Sequence, residues 1–440
     1  MVKKLPYQKL FFPNGLTVFL VNIKTVKTFY VTLYVKVGVI NENRRNNGIS
    51  HFLEHFIHQG TKNYKSFKLL SEAIEFEGMY QNAQTSKFNT LYYVNSPSKK
   101  GGKALDFLYE LVFLSTLPPS RIDHVRQIIL NEYFDYWSEP KNQFTQKTFL
   151  KRTKGKNIYQ YGFLGKPETI KSFTRKELLE WKNKYYQPAN MILSVAGNFN
   201  QKEIMAKIKN SFGKQKNREE IKEPHKLKIT YSGFLIYHQK DKSNQIRFFL
   251  SFPTFGTKEV EIKKNLQLEL LGFIVGGSQS SRLSKLLRED NNLVYFVGSG
   301  TSSFPFMGEF IIAGSTTKEK LFLSMKLIKR GLEKIKNNGV SERETQKAKN
   351  LYQRNVVCFN FVTPQQIANW IVEEELSGRK IRLPDEYMEM VRATSIEEIN
   401  PLAKNIFDFS KINIGLMGNL NNDEVKTIMS VFKNKKIREN

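Results

Sequence analysis

Between Gly48 and Thr61 the chain reads Gly-Ile-Ser-His-Phe-Leu-Glu-His-Phe-Ile-His-Gln-Gly-Thr, and no other stretch narrows its possibilities so far. Ser50 is suited to cap a helix that begins at His51, and Gly60 to end it. Residues three and four apart on a helix share a face, so His51, Glu54, His55 and His58 form one polar stripe. Ile49, Phe52, Leu53, Phe56 and Ile57 take the other side. A helix this apolar belongs in a core, where imidazoles and carboxylates are costly unless something pairs with them. A lone histidine in such a place reads as a packed core residue. Here three of the six histidines in the chain fall within eight residues with an acid between two of them, and that clustering favours a metal ion as the partner.

The 440 residues exceed one ordinary core, and 34 Phe and 19 Tyr are ample for well-cored domains. The single cysteine, Cys358, excludes an intrachain disulfide framework. The early lysines are not followed by the apolar run of a signal peptide, and no stretch approaches eighteen uninterrupted apolar residues. A soluble, cytoplasmic protein with no membrane contact is therefore expected. A net charge of +28 would suit a nucleic acid or an acidic substrate. The lysines are spread through every segment, however, with no basic run interleaved with aromatics, so compositional drift is preferred and a nucleic-acid partner is not expected.

Residues 16–21 and 29–37 read as strands, 66–77 as a helix stopped by Gly78, and 80–87 with 90–94 as a strand pair. A helix over 103–115 is closed by Pro118-Pro119. In the next, 120–137, Val125, Ile129 and Glu132 line up at four and three residues. A glutamate on an apolar stripe ordinarily sits at its edge, but in a chain that needs a third metal ligand Glu132 is the leading candidate. Helices near 143–152 and 175–185 precede the strand 191–196 and a helix ending near Phe212.

The charged stretch 214–228 reads as a linker. Beyond it come strands near 230–238 and 245–251, a helix over 259–275, and strands near 294–301 and 307–314. Helices near 317–337, 341–356, 364–376 and 395–404 follow. Ser194-Val195-Ala196-Gly197-Asn198-Phe199-Asn200 matches Gly415-Leu416-Met417-Gly418-Asn419-Leu420-Asn421, each a strand, a glycine turn and a terminal helix. The repeat implies duplication, with an N-terminal half over 1–213 and a C-terminal half over 229–440. The second copy has no His-x-x-Glu-His, so only the first can carry the metal centre.

Two imidazoles four residues apart plus one carboxylate from elsewhere make a three-ligand zinc site with a position open for water. Glu54, between the histidines, is free to accept that water's proton, and hydrolysis of a polarised carbonyl, most naturally a peptide bond, is the chemistry expected. The order His-x-x-Glu-His inverts the commoner zinc-protease motif. With Glu132 following His55 after 76 intervening residues, the chain resembles the pitrilysin (M16) metallopeptidase family. Tyr80-Gln81-Asn82-Ala83-Gln84-Thr85 is similar to that family's Asn-Ala-x-Thr edge strand. Ser281-Arg282-Leu283, Leu287-Arg288-Glu289 and Leu293-Val294-Tyr295 are similar to its second-half Arg and Tyr motif. The likeness spans both halves.

The resemblance implies an α+β chain of two homologous α/β rolls, each an antiparallel-rich sheet packed by helices, facing each other around a chamber. It implies one zinc per chain on His51, His55 and Glu132, with Glu54 as general base. Peptide or unfolded polypeptide would be held as an added strand along Asn82 and Ala83, with Arg288 and Tyr295 contacting substrate and stabilising the oxyanion. Small members pair two chains, and because this one carries both motifs a homodimer is expected. The alternatives are the active subunit of a heterodimer with a motif-lacking partner, and a basic scaffold that has lost proteolysis. A positively charged chamber would prefer acidic or neutral peptides. Three positions depart from the family pattern: Phe88 and Val125 stand where acids are usual, and His58 where an apolar residue is usual. His58 is expected to be a packed or hydrogen-bonded bystander.

Overall fold

The computed structural model describes residues 7–154, 160–218, 221 and 229–433. The chain forms two compact units, one of Met1–Ser138, Asn157–His225 and Asn360–Ile381, the other of Glu139–Lys156, Lys226–Phe359 and Arg382–Asn440. Among the described residues no helix is long and apolar enough to cross a membrane.

The first unit is built on six strands: β1 (Tyr7–Phe11), β2 (Thr17–Asn22), β3 (Thr28–Val35), β4 (Tyr80–Thr85), β5 (Thr90–Pro97) and β6 (Met191–Gly197). They lie in the order β1-β2-β6-β3-β5-β4, antiparallel except for the parallel pair β2 and β6. The second unit has β7 (Leu235–Lys240), β8 (Gln245–Thr254), β9 (Val294–Phe304), β10 (Met307–Thr317) and β11 (Asn413–Gly418). Their order, β7-β11-β8-β10-β9, repeats the order β2-β6-β3-β5-β4, and the one parallel pair, β7 and β11, falls at the equivalent place. The two halves are therefore copies of one α+β unit, and β4 and β9 are equivalent edge strands.

The central strands β2, β3 and β6 are buried on both faces, which is why they read as continuous apolar runs. Val18, Leu20, Val31, Leu33, Leu193 and Val195 point into a core shared with the histidine-bearing helix Ile49–Ile57. Their alternates Phe19, Val21, Tyr30, Tyr34, Ile192 and Ala196 pack on Ile367, Ala368, Ile371 and Val372. That second cover is the helix Pro364–Leu376, which the chain-order division at 229–440 assigns to the other half. The converse holds for the helix Pro140–Arg152, which packs on the second sheet. There Phe144 stacks on Tyr237 of β7, and a side chain at Gly415 of β11 would meet the Phe144 ring at 2.9 Å. The spatial division thus departs from 1–213 and 229–440 at two helices, because each sheet needs a cover on its second apolar face. Most of the 214–228 linker lies outside the described residues.

Other boundaries shift. β4 stops at Thr85 rather than continuing to Lys87, because Ser86 and Asn89 close a turn. Beyond a two-residue strand at Thr230–Tyr231, the strand expected over 230–238 runs Leu235–Lys240. The strand β1 and the helices Pro167–Ser172 and Pro384–Arg392 were not expected.

The helix Pro140–Arg152 is fixed by a buried ion pair. Arg152 Nε lies 2.6 Å from Glu309 Oε1 of β10, close but not aligned as a hydrogen bond, and the guanidinium is flanked by the rings of Phe149 and Phe249. Arg152→Ala removes one partner and leaves a buried carboxylate without its counter-charge. A loss of about 3–5 kcal/mol in denaturant unfolding is expected; a loss below about 1 kcal/mol would mean Glu309 is not held as a charge.

Candidate metal centre

The histidine helix spans Ile49–Ile57, so it begins two residues before the expected start and ends before Gly60, with His58 as its C-cap. Ser50 is not the cap. Gly48 is, at φ +98°, and a Cβ there would strike Gly165 Cα at 2.7 Å, so only glycine fits. The free N–H groups of the first turn are satisfied from a distance by the buried Glu42. Its Oε2 accepts from Gly48 N at 2.8 Å and Asn47 Nδ2 at 2.9 Å, and its Oε1 accepts from Ser50 N at 3.1 Å. Sequence reasoning passed over Glu42; an acid six residues before a glycine that opens an apolar helix was the available signal.

Phe52, Leu53, Phe56 and Ile57 anchor the helix in the core, which brings His51 and Glu54 down into buried positions and leaves His55 half-buried. His51 Nε2 and His55 Nε2 approach to 3.2 Å, and Glu132 Oε2, from the helix Ile122–Ser138, lies 3.6 Å from both. With ligand bonds of about 2.0–2.2 Å, the edges of a tetrahedron are about 3.3–3.6 Å long, so three such atoms fit three corners around zinc. Burial, with His55 adding to it, pushes His51 down to about 3; burial, with His58 adding to it, pushes His55 down to about 4. Both rings are therefore neutral, with lone pairs rather than protons available. Burial raises the Glu132 carboxyl above its usual range. His51 Nδ1 is buried without a partner among the described residues.

Glu54 is not one of the three converging groups. Its Oε2 accepts from Thr85 Oγ1 at 2.5 Å, and burial, with Glu132 adding to it, pushes its carboxyl up to about 7. Thr85 ends β4; it was visible as the last residue of the Asn-Ala-x-Thr match but carried no role there. Asn82 and Ala83 lie on the same edge strand, Asn82 exposed and Ala83 half-buried. Phe163 packs edge-on against His51, with ring centroids 5.6 Å apart, and Tyr136 packs on Phe163 in turn. Nothing in the sequence marked Phe163. Val125 is fully buried, so the position where the resemblance implied an acid is core here.

Arg288 and Tyr295 belong to the second unit. Arg288 lies in a π-helical turn, Lys285–Glu289, half-exposed and 3.8 Å from Glu289. Tyr295 sits at the register shift between Val294 and Phe296 in β9 and is 83% exposed. By contrast Arg282 of the same motif is structural, clamped to both oxygens of Glu344 and to the Gly339 carbonyl.

A duplicated α+β chain with an inverted His-x-x-Glu-His helix and a distant glutamate converging on it defines a class of zinc-protease-like proteins. The description of the insulinase family, peptidase family M16, matches residues 17–161, and that of the peptidase M16 inactive domain matches residues 172–352. An uncharacterized zinc protease of Rickettsia felis is 31% identical over 404 residues, 90% of this chain and 93% of that one. An uncharacterized zinc protease of Bacillus subtilis is 29% identical over 414 residues, covering 92% and 98%. The chain belongs to the M16 family. The crystal structure of a protease from Helicobacter pylori, 21% identical, superposes with a TM-score of 0.81 over 94% of this chain and 99% of the other, which supports the fold.

Proposed function

We propose that the protein is a zinc-dependent endopeptidase or oligopeptidase, with one zinc per chain held by His51, His55 and Glu132. The observation that carries this reading is the convergence of two neutral imidazoles and one carboxylate beside a separate buried carboxylate, Glu54. When bound, zinc supplies Lewis acidity that polarises the scissile carbonyl and makes a water nucleophilic near neutral pH. Glu54 takes the proton from the attacking water and delivers it to the amine nitrogen as the C–N bond breaks. The Thr85 hydrogen bond holds one oxygen of Glu54 in place.

Substrate is proposed to add to the edge strand β4 in extended form, against Asn82 and Ala83. Arg288 and Tyr295 are assigned to substrate orientation and the oxyanion. In support, both sit on local irregularities, a π-turn and a strand bulge, which turn side chains away from regular packing. One chain carries both sets, so two identical chains can complete the chamber. Metal analysis of the purified protein alongside digestion of a mixed peptide library tests the reading. Stoichiometric zinc and cleavage are expected, with sites favouring acidic or neutral segments; a chain holding no zinc and cutting no peptide would end it.

Glu54 must be ionised to act. As pH falls through its pKa the base is protonated and kcat/KM declines, so the profile has an acid limb, and a neighbouring cation moves that limb below the value of about 7 set by burial. A rate that rises on acidification from pH 7 would contradict this assignment.

A further inference from the structure

His58 lies outside the three converging ligands, yet it joins two elements of the site. Its Nδ1 is 2.8 Å from the main-chain carbonyl of Glu54, and its Nε2 lies 3.0 Å from Gln81 Oε1. A carbonyl can only accept, so Nδ1 carries the proton. In the neutral ring Nε2 can only accept, so the second bond forms with the Gln81 amide turned end for end, its NH2 in the place of Oε1. The ring packs over Tyr92 of β5, with centroids 6.0 Å apart, and Tyr92 is itself hydrogen-bonded to Tyr186.

Gln81 and Thr85 are on the same side of β4, the side that faces the histidine helix, while the alternate residues Tyr80, Asn82 and Gln84 are exposed. Glu54 is thus tied to β4 twice. Thr85 holds its carboxylate, and His58 with Gln81 holds its main chain, four residues apart along the strand.

We infer that His58 is a positioning residue: together with Gln81 it locks the turn carrying Glu54 to the edge strand, so that base and strand-bound peptide keep one register. This rests on the peptidase reading and adds a residue outside the ligand set. A phenylalanine at position 58 fills the same space but cannot make either hydrogen bond, so the base gains freedom relative to a peptide lying on β4. The loss falls on kcat rather than on peptide binding, because the strand edge is unchanged.

The test uses the full-length zinc-loaded protein with His58→Phe, Gln81→Leu and the double variant, assayed for kcat, KM and zinc content on a quenched fluorogenic peptide. Each single variant is expected to lower kcat about tenfold with KM and zinc stoichiometry unchanged, and the double to be no worse than either single, since both break one link. An unchanged kcat in His58→Phe, or losses that multiply in the double, would overturn the inference. Nitrogen-15 NMR of the imidazoles gives a readout independent of turnover. His58 is expected to be protonated at Nδ1, with an Nε2 resonance that moves in Gln81→Leu, and protonation at Nε2 instead would overturn it. A zinc-loaded wild type that cuts no peptide removes the peptidase reading, and the resonance then decides whether the link itself exists.

Discussion

Glu54→Gln is expected to lower kcat about a thousandfold while zinc stays at one per chain. Glutamine has the shape of glutamate, and its carbonyl oxygen still accepts from Thr85 Oγ1, so the helix and the three converging atoms keep their places. What disappears is the buried carboxylate beside the metal-ligand set that takes the proton from water. The measurement is steady-state cleavage of a quenched peptide together with metal analysis of the same preparation. Retention of more than about a tenth of the wild-type rate would assign the proton transfer to another group.

His55→Ala is the complementary change, because it removes the metal and spares the base. His55 is half-buried, and its loss leaves a smaller void than truncation of the fully packed residues around it. Two remaining ligands cannot hold zinc through dialysis, so metal content should fall to near zero and cleavage with it. Stability separates this from misfolding. A ligand that binds only the folded chain, present at a thousandfold above its Kd, stabilises by about 4 kcal/mol. Chelation should therefore lower the melting temperature of the wild type and leave that of His55→Ala unmoved. If chelator shifts both alike, the triad is not where zinc binds.

Much of the centre was legible because it is local. His51, Glu54 and His55 declare their shared face by spacing alone, and the buried residues Phe52, Leu53, Phe56 and Ile57 declare the opposite one. Glu132 was reachable because it interrupts an apolar stripe at a known separation. The supports were harder to read. Glu42, Thr85 and Gln81 act singly, Glu42 through three hydrogen bonds to the chain just ahead of it and Thr85 and Gln81 through one each across the fold, and such bonds leave no periodic trace. The strand order of both sheets was likewise hidden, although the matching ends near Gly197 and Gly418 gave away the duplication. Which sheet a helix covers is a further question that chain order does not answer. Pro364–Leu376 carries an apolar stripe that would suit either sheet, and Pro140–Arg152 buries Phe144 with the polar Thr148 and Arg152, which names neither.

Those two helices occupy equivalent places in the repeat, each coming after the strand pair and two further helices of its own copy. A single copy, before duplication, would have had a bare apolar sheet face and a helix with nowhere of its own to lie. A fragment of this chain cut between the halves is in the same position: without Pro364–Leu376 it leaves Phe19, Tyr30, Tyr34 and Ile192 of the first sheet uncovered.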